Sequence, residues 1–88
     1  MEEKKAKKEY VYNVVVMENH KLLQIQAFRK RMVATTYMVA TSLFAQQECE
    51  KKGFKDCELK IESNNNIVVK WNNGFNTMTF DIIRTQVK

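Results

Sequence analysis

Residues 32–47, MVATTYMVATSLFAQQ, decide the fold, because they form a long segment without a charged side chain. Charges crowd both of its ends, as RKR at residues 29–31 and ECEKK at residues 48–52. Apolar residues recur within it at helical spacing, which predicts a helix. We call one side of this helix its apolar face: Met32, Val33, Tyr37, Val39, Ala40, Leu43 and Phe44.

The opposite side of the predicted helix is also uncharged. This small-residue face consists of Ala34, Met38, Thr41, Ser42, Ala45 and Cys49. A solvated face normally carries Lys or Glu, and there are none between Arg31 and Glu48. We therefore expect the apolar face to pack on the chain's own sheet. The other face would bind a partner subunit, most simply a second copy packed helix to helix, through Ala34, Met38, Thr41, Ala45 and Cys49.

The start of the helix has two interpretations. As a strand, residues 22–31 alternate Leu23, Ile25 and Ala27 with glutamines and complete a hairpin with the preceding strand. As a helix, they extend the central segment to about thirty residues, which places Arg29 inside the apolar face. A helix that begins at Met32 instead crowds three cations at the positive end of its dipole. We favour the hairpin and keep the longer helix as the alternative.

The end of the helix is marked more clearly. Lys51 and Lys52 complement the negative end of the dipole, and Gly53 supplies a left-handed cap. The helix is therefore predicted to end just before Gly53.

Strands are predicted on both sides of the helix. Residues 9–17, EYVYNVVVM, are rich in β-branched and aromatic residues and are apolar on both faces, as in a central strand. Residues 57–84 read as a three-strand meander, in which Asn73-Gly74 predicts a two-residue type I′ turn. That turn sets three pairs: Trp71 with Asn76, Val69 with Met78, and Ile67 with Phe80.

The register of the first strand of this meander follows from the loop before the second. A three-residue loop at 64–66 keeps Leu59 and Ile61 on the apolar side of the sheet. It sets Ile61 opposite Val69 and Leu59 opposite Trp71. On the other side it sets Lys60 opposite Lys70.

The predicted fold is α+β, with one long helix packed across one face of an antiparallel sheet of four or five strands. The element order is β-β-α-β-β-β, or β-α-β-β-β if residues 22–31 are helical. Residues 1–8, MEEKKAKK, are predicted to be a flexible charged tail, and residues 9–88 a single domain.

Catalytic chemistry finds little support in the sequence. The chain has one histidine, His20, in a predicted turn, and two aspartates, Asp56 and Asp81, that the predicted sheet keeps apart. It has no Gly-rich phosphate loop, metal-ligand cluster or nucleophile motif. Cys49 and Cys57 lack metal-ligand spacing and are predicted to be reduced, partly buried thiols. We expect no enzyme, no cofactor, no metal and no small-molecule substrate.

The expected compartment is the cytoplasm. The charged N-terminus does not resemble a signal peptide, and residues 32–47 are shorter than the roughly 20 apolar residues that span a bilayer. No membrane association is expected.

Nucleic-acid binding is the alternative function. The net charge of +5 is compatible with a polyanionic partner. Arg29, Lys30, Arg31, Lys60 and Lys70 could contact phosphates. Glu58, Glu62 and Asp81 offset the two lysines on the same sheet face, and the aromatic residues Trp71 and Phe80 are predicted to point inward, which leaves no stacking platform.

The sequence therefore predicts a small, non-catalytic binding protein. We expect it to act through protein–protein contacts, by self-association as a homodimer, by binding or inhibiting a host macromolecule, or by both. A compact chain rich in Lys and Asn and without proline would suit a phage or mobile-element protein.

Overall fold

One helix lies across one face of a five-stranded antiparallel sheet in the computed structural model, which describes residues 9–87. The predicted tail at residues 1–8 lies outside the described residues. The elements are β1 (Glu9–Glu18), β2 (Lys21–Phe28), α1 (Arg31–Lys51), β3 (Glu58–Ser63), β4 (Asn66–Trp71) and β5 (Asn76–Val87). The strand order across the sheet is β2-β1-β5-β4-β3. The α+β fold with the order β-β-α-β-β-β is confirmed.

The β1–β2 hairpin decides between the two interpretations of residues 22–31. Asn19 and His20 form its two-residue turn, with φ of 50° and 70°, and Glu18 pairs with Lys21. The Asn19 side chain anchors the turn to β5, because its Oδ1 accepts a 2.9 Å hydrogen bond from the Thr77 N–H. Residues 21–28 are therefore strand, and the longer helix is not formed.

The turn at Asn73-Gly74 is confirmed. Both residues have positive φ, 58° and 85°, and the Phe75 N–H donates to the Asn72 carbonyl at 3.0 Å. These are features of a type I′ turn, but Asn72 is also left-handed, with φ of 56°, and the connection spans residues 72–75, which is longer than the predicted two residues. The predicted pairs follow: Trp71 with Asn76, Val69 with Met78, and Ile67 with Phe80.

The predicted β3–β4 register is wrong by two residues. Leu59 pairs with Val69, not Trp71, and Ile61 pairs with Ile67, not Val69. The loop is shorter than expected because Asn66 already belongs to β4, opposite Ser63. An irregularity between Ile61 and Ser63 leaves one residue of β3 without a partner. The pairing therefore shifts, while Leu59 and Ile61 stay on the predicted face of the sheet.

This register also corrects the predicted juxtaposition of Lys60 and Lys70. Lys70 lies opposite Glu58 on one side and Thr77 on the other, and Lys60 lies opposite Val68. The Lys60 ammonium lies 3.9 Å from the Glu62 carboxylate. The two lysines therefore do not face each other across the strands.

The helix packs on the sheet with the face opposite to the one predicted. Ala34, Met38 and Cys49 are buried, and so is Ser42. Thr41 and Ala45 are half-buried. The small-residue face, predicted to bind a partner, is thus covered by the chain's own sheet, and the predicted assignment of the two faces is wrong.

The large side chains on the sheet explain why the small-residue face of α1 packs against it. The side chains beneath the helix are large: Ile67, Trp71, Met78, Phe80 and Ile82. Small side chains on the helix let its axis approach them closely, and Met38 fills the remaining space. The buried Ser42 hydroxyl donates to the Val39 carbonyl at 2.9 Å, so its burial leaves no unsatisfied hydroxyl.

The two ends of α1 differ in how they are capped. At the C-terminal end, Gly53 has φ of 80°, its N–H donates to the Glu50 carbonyl, and the Phe54 N–H donates to the Cys49 carbonyl, which is a Schellman motif. At the N-terminal end, Lys30 provides no side-chain cap and the first turn contains no acidic residue. The charges at residues 29–31 therefore lie next to the positive end of the dipole.

Candidate functional site

The side of α1 that faces away from the sheet is open and uncharged from residue 32 to 47, and its exposed residues are mostly apolar, with Thr36 and Gln47 among them. Met32 is 78% exposed, Phe44 62%, Val33 47% and Leu43 45%. We call this surface the outer face of α1; it consists of Met32, Val33, Val39, Ala40, Leu43 and Phe44. Single exposed apolar residues are common on monomers, but a contiguous apolar surface usually marks an interaction site.

Strand β2, at one edge of the sheet, carries further exposed apolar residues, of which Ile25 lies on the sheet face opposite to α1. Leu22, Leu23 and Ile25 are each more than half exposed. Tyr37 joins the strand to α1, because its hydroxyl accepts a hydrogen bond from Gln24 Nε2 and its ring packs on Phe28 at a centroid distance of 5.1 Å. The helix and the edge strand are therefore held together as one rigid unit.

A cleft opens between β2, the C-terminal half of α1 and the sheet. Its volume is about 590 Å³, and its lining is mostly apolar, including Leu23, Phe44, Cys49, Phe54, Trp71 and Met78. Phe54 and Trp71 are stacked at 6.1 Å, with their planes 9° apart. The volume lies in the usual range for binding clefts, so an apolar side chain of a partner fits here.

Cys49 lines this cleft, and Cys49 and Cys57 are both free thiols. Cys49 is buried, and the Cys57 Sγ lies 3.3 Å from the Phe54 carbonyl. Burial, followed by the proximity of Cys57, raises the pKa of the Cys49 thiol. Cys49 therefore stays protonated at neutral pH and is a poor nucleophile.

The basic residues predicted to contact phosphates do not converge. Arg31 begins the helix, and its Nη2 donates to Asn65 Oδ1 at 3.0 Å. Lys60 and Lys70 project from the opposite face of the sheet, because they alternate with residues that pack beneath α1. Arg29 and Lys30 are exposed between β2 and α1.

The acidic and histidine side chains also lie apart. His20 is exposed in the β1–β2 turn, and Asp56 adopts a positive φ of 56° in the segment before β3. Asp81 accepts a 2.6 Å hydrogen bond from Asn66 Nδ2. Over residues 9–87, no group of three His, Cys, Asp or Glu side chains is arranged to hold a metal ion. In the same range, no helix is both long and apolar enough to cross a bilayer.

Sequence reasoning identified the uncharged helix but missed the edge strand as part of the site. The signal was present, because residues 22–28, LLQIQAF, carry no charge. The same pattern predicts a hairpin strand, and its position at the sheet edge depends on the strand order. Comparison with known proteins adds no relative: no protein-family model, no curated protein and no solved structure matches this chain.

Proposed function

We propose that this protein is a non-catalytic binding protein that acts through protein–protein contacts, and that it self-associates through the outer face of α1. One observation carries the proposal. The helix is uncharged from residue 32 to 47, and the face it turns to solvent is mostly apolar, with Met32 and Phe44 largely exposed. Such a surface is stable in water when another apolar surface covers it.

The apolar area of the outer face predicts self-association of moderate affinity. Burying a half-exposed apolar side chain contributes roughly 1 kcal/mol. Two copies of the outer face together contribute on the order of 10 kcal/mol, which must offset at least about 4 kcal/mol of lost translational and rotational freedom. We therefore expect dissociation in the range of tens of micromolar.

Sedimentation of wild type and Leu43→Glu tests this contact. Leu43 lies on the outer face and is 45% exposed, so the substitution should leave the fold intact while it places a charge in the contact. Wild type should sediment faster as its concentration rises, and Leu43→Glu should lose this helix-mediated step. Gln86→Glu, an exposed change on β5 that adds the same charge, is the control and should behave as wild type.

Two sedimentation results would contradict the proposal. A wild type that remains monomeric over the whole range would overturn self-association. A Leu43→Glu protein that associates as wild type does would overturn the role of the outer face. Circular dichroism of each variant confirms that the comparison is between folded proteins.

The same outer face would bind a host macromolecule in place of a second copy of the chain. A protein of phage or mobile-element origin that inhibits a host factor would use an apolar surface of this kind. Affinity capture from the native host, with wild type and Leu43→Glu as parallel baits, tests this version. A host protein retained by both baits would not be bound through the outer face.

Nucleic-acid binding is the second candidate function. The observation that favours it is the exposed pair Arg29 and Lys30 beside a helix start that contains no acidic residue. Arg31, Lys60 and Lys70 would add weaker phosphate contacts. If this function is correct, a labelled oligonucleotide should shift at low salt, and reversing the charges at residues 29–31 should abolish the shift. The absence of a shift at low salt would rule it out.

A further inference from the structure

We propose that β2 is a second self-association surface, at which the strand pairs edge to edge and antiparallel with β2 of another copy. The contact extends the five-stranded sheet into a continuous ten-stranded one. It goes beyond the helix contact proposed above and does not depend on it. Strand spacing separates the two helices of such a pair by roughly 25 Å, so their outer faces stay free.

The two edges of the sheet differ in how they are protected. An edge strand exposes unpaired N–H and C=O groups, and proteins usually guard it with charges or proline. β3, at one edge, carries the alternating charges of Glu58, Lys60 and Glu62. β2, at the other, has no charge and no proline over residues 22–28, and only Phe28 is even partly buried. β2 therefore lacks the charges that guard β3, and apart from the extra residue at Leu23 its edge is open to another strand over residues 24–28.

The pattern of β2 fits a second copy of itself. Residues 22–28 read apolar, apolar, polar, apolar, polar, apolar, apolar, which is symmetric about Ile25. Antiparallel pairing centred there places Ile25 against its own copy and Gln24 against Gln26 of the other strand, where the amides can exchange hydrogen bonds. The irregularity in the β1–β2 ladder places its extra residue, Leu23, on β2, so the regular part of the edge is residues 24–28.

The symmetry of the two surfaces is compatible with one closed assembly. Strands paired in one sheet are related by a two-fold axis perpendicular to that sheet, whereas helices packed face to face are related by a two-fold axis parallel to it. Two perpendicular two-fold axes define a tetramer with D2 symmetry, a common form among soluble oligomers, when they intersect. Each contact alone gives a dimer.

Two matched variants separate the contacts. Ile25→Lys places a charge at the centre of the β2 edge, and Ile61→Lys makes the same change on β3; the two isoleucines are 54% and 65% exposed. Like charges meet at the centre of the β2 pair, so Ile25→Lys should weaken that association about tenfold. Ile61→Lys should sediment as wild type.

Comparing Leu43→Glu, Ile25→Lys and the double variant separates the helix contact from the β2 contact. At protein concentrations above the dissociation constant of the wild-type β2 contact and below that of the weakened one, Leu43→Glu should be a dimer formed by β2, Ile25→Lys a dimer formed by α1, and the double variant a monomer. If Leu43→Glu is monomeric, or Ile25→Lys matches wild type, the β2 contact is wrong while the helix contact stands. If Leu43→Glu alone matches wild type, the helix contact is wrong instead.

Hydrogen exchange locates the contact in the backbone. In Leu43→Glu, the amides of β2 should exchange more slowly as protein concentration rises, because dimerisation pairs the free edge. The amides of β3 serve as the internal control and should not change. Concentration-dependent protection of β3, or none in β2, would overturn the proposal.

Discussion

At the scale of single residues, size and hydroxyl satisfaction decide which side of α1 is buried. Ala34 and Ser42 are fully buried, whereas Phe44 is 62% exposed. A ranking by hydrophobicity alone would place them the other way round. The hydroxyls of Thr41 and Ser42 are satisfied within the helix, as Thr41 Oγ1 donates to the Tyr37 carbonyl at 2.8 Å and Ser42 Oγ to the Val39 carbonyl at 2.9 Å. Burying such a residue therefore costs less than its polarity suggests.

A pair of methionines on α1 tests this orientation. Met38 is 1% exposed and Met32 is 78% exposed. Met38→Ala should lower the free energy of unfolding by roughly 2–5 kcal/mol, because it leaves a cavity under the helix. Met32→Ala should change it by less than about 0.5 kcal/mol.

Urea denaturation at low protein concentration, where association does not contribute, measures both methionine variants. Equal losses, or a larger loss at Met32, would mean that the helix presents its other face to the sheet.

At the scale of elements, the two hairpin turns both need left-handed backbone conformations but use different residues to adopt them. Asn73-Gly74 lies at the centre of the 72–75 connection between β4 and β5, with glycine at the second position, where φ is 85°. Asn19-His20 joins β1 to β2 with histidine at the corresponding position, where φ is 70°. A left-handed conformation costs a residue with a Cβ about 1–2 kcal/mol, so the first hairpin is strained at His20.

Replacing His20 with glycine should relieve this strain. We expect His20→Gly to raise the free energy of unfolding by about 0.5–1 kcal/mol, after the greater entropy of glycine in the unfolded chain is subtracted. His20→Ala, which keeps a Cβ, should give no gain. Thermal or urea denaturation checks the pair, and a glycine variant no more stable than the alanine variant would contradict the strain at this turn.

At the scale of the whole molecule, charge gives self-association and nucleic-acid binding opposite dependences on salt. Pairing of β2 with itself about Ile25 brings Lys21 near Arg29 of the other copy at each end. Salt screens this repulsion, so raising the ionic strength from about 0.05 M to about 0.5 M should strengthen association modestly. Phosphate binding by the basic residues should weaken steeply over the same range.

Sedimentation of Leu43→Glu, which isolates the strand contact, measures the first dependence. An oligonucleotide shift measures the second. Association of Leu43→Glu that weakens steeply with salt would contradict the apolar, like-charged edge described for β2.

The sequence by itself determined the elements and one register. Alternation and turn residues identified the strands, because side chains on a strand alternate with period two and Asn-Gly allows positive φ at both turn positions. The β4–β5 pairs were therefore predictable. The β3–β4 register was not predictable. β4 begins at Asn66 and not at Ile67, and this shifts its pairing with β3 while each residue stays on the same face of the sheet.

Only the tertiary structure decided the strand order and the orientation of the helix. Pairing of β1 with β5 joins segments far apart in the chain, and no local pattern encodes it; that pairing makes β2 an edge. Both faces of α1 are uncharged, so periodicity could not distinguish them. The bulk of Trp71, Phe80 and their neighbours made the choice, since a helix approaches a crowded sheet most closely through its smallest residues. The outer face of α1 and the free edge of β2 follow from those two decisions.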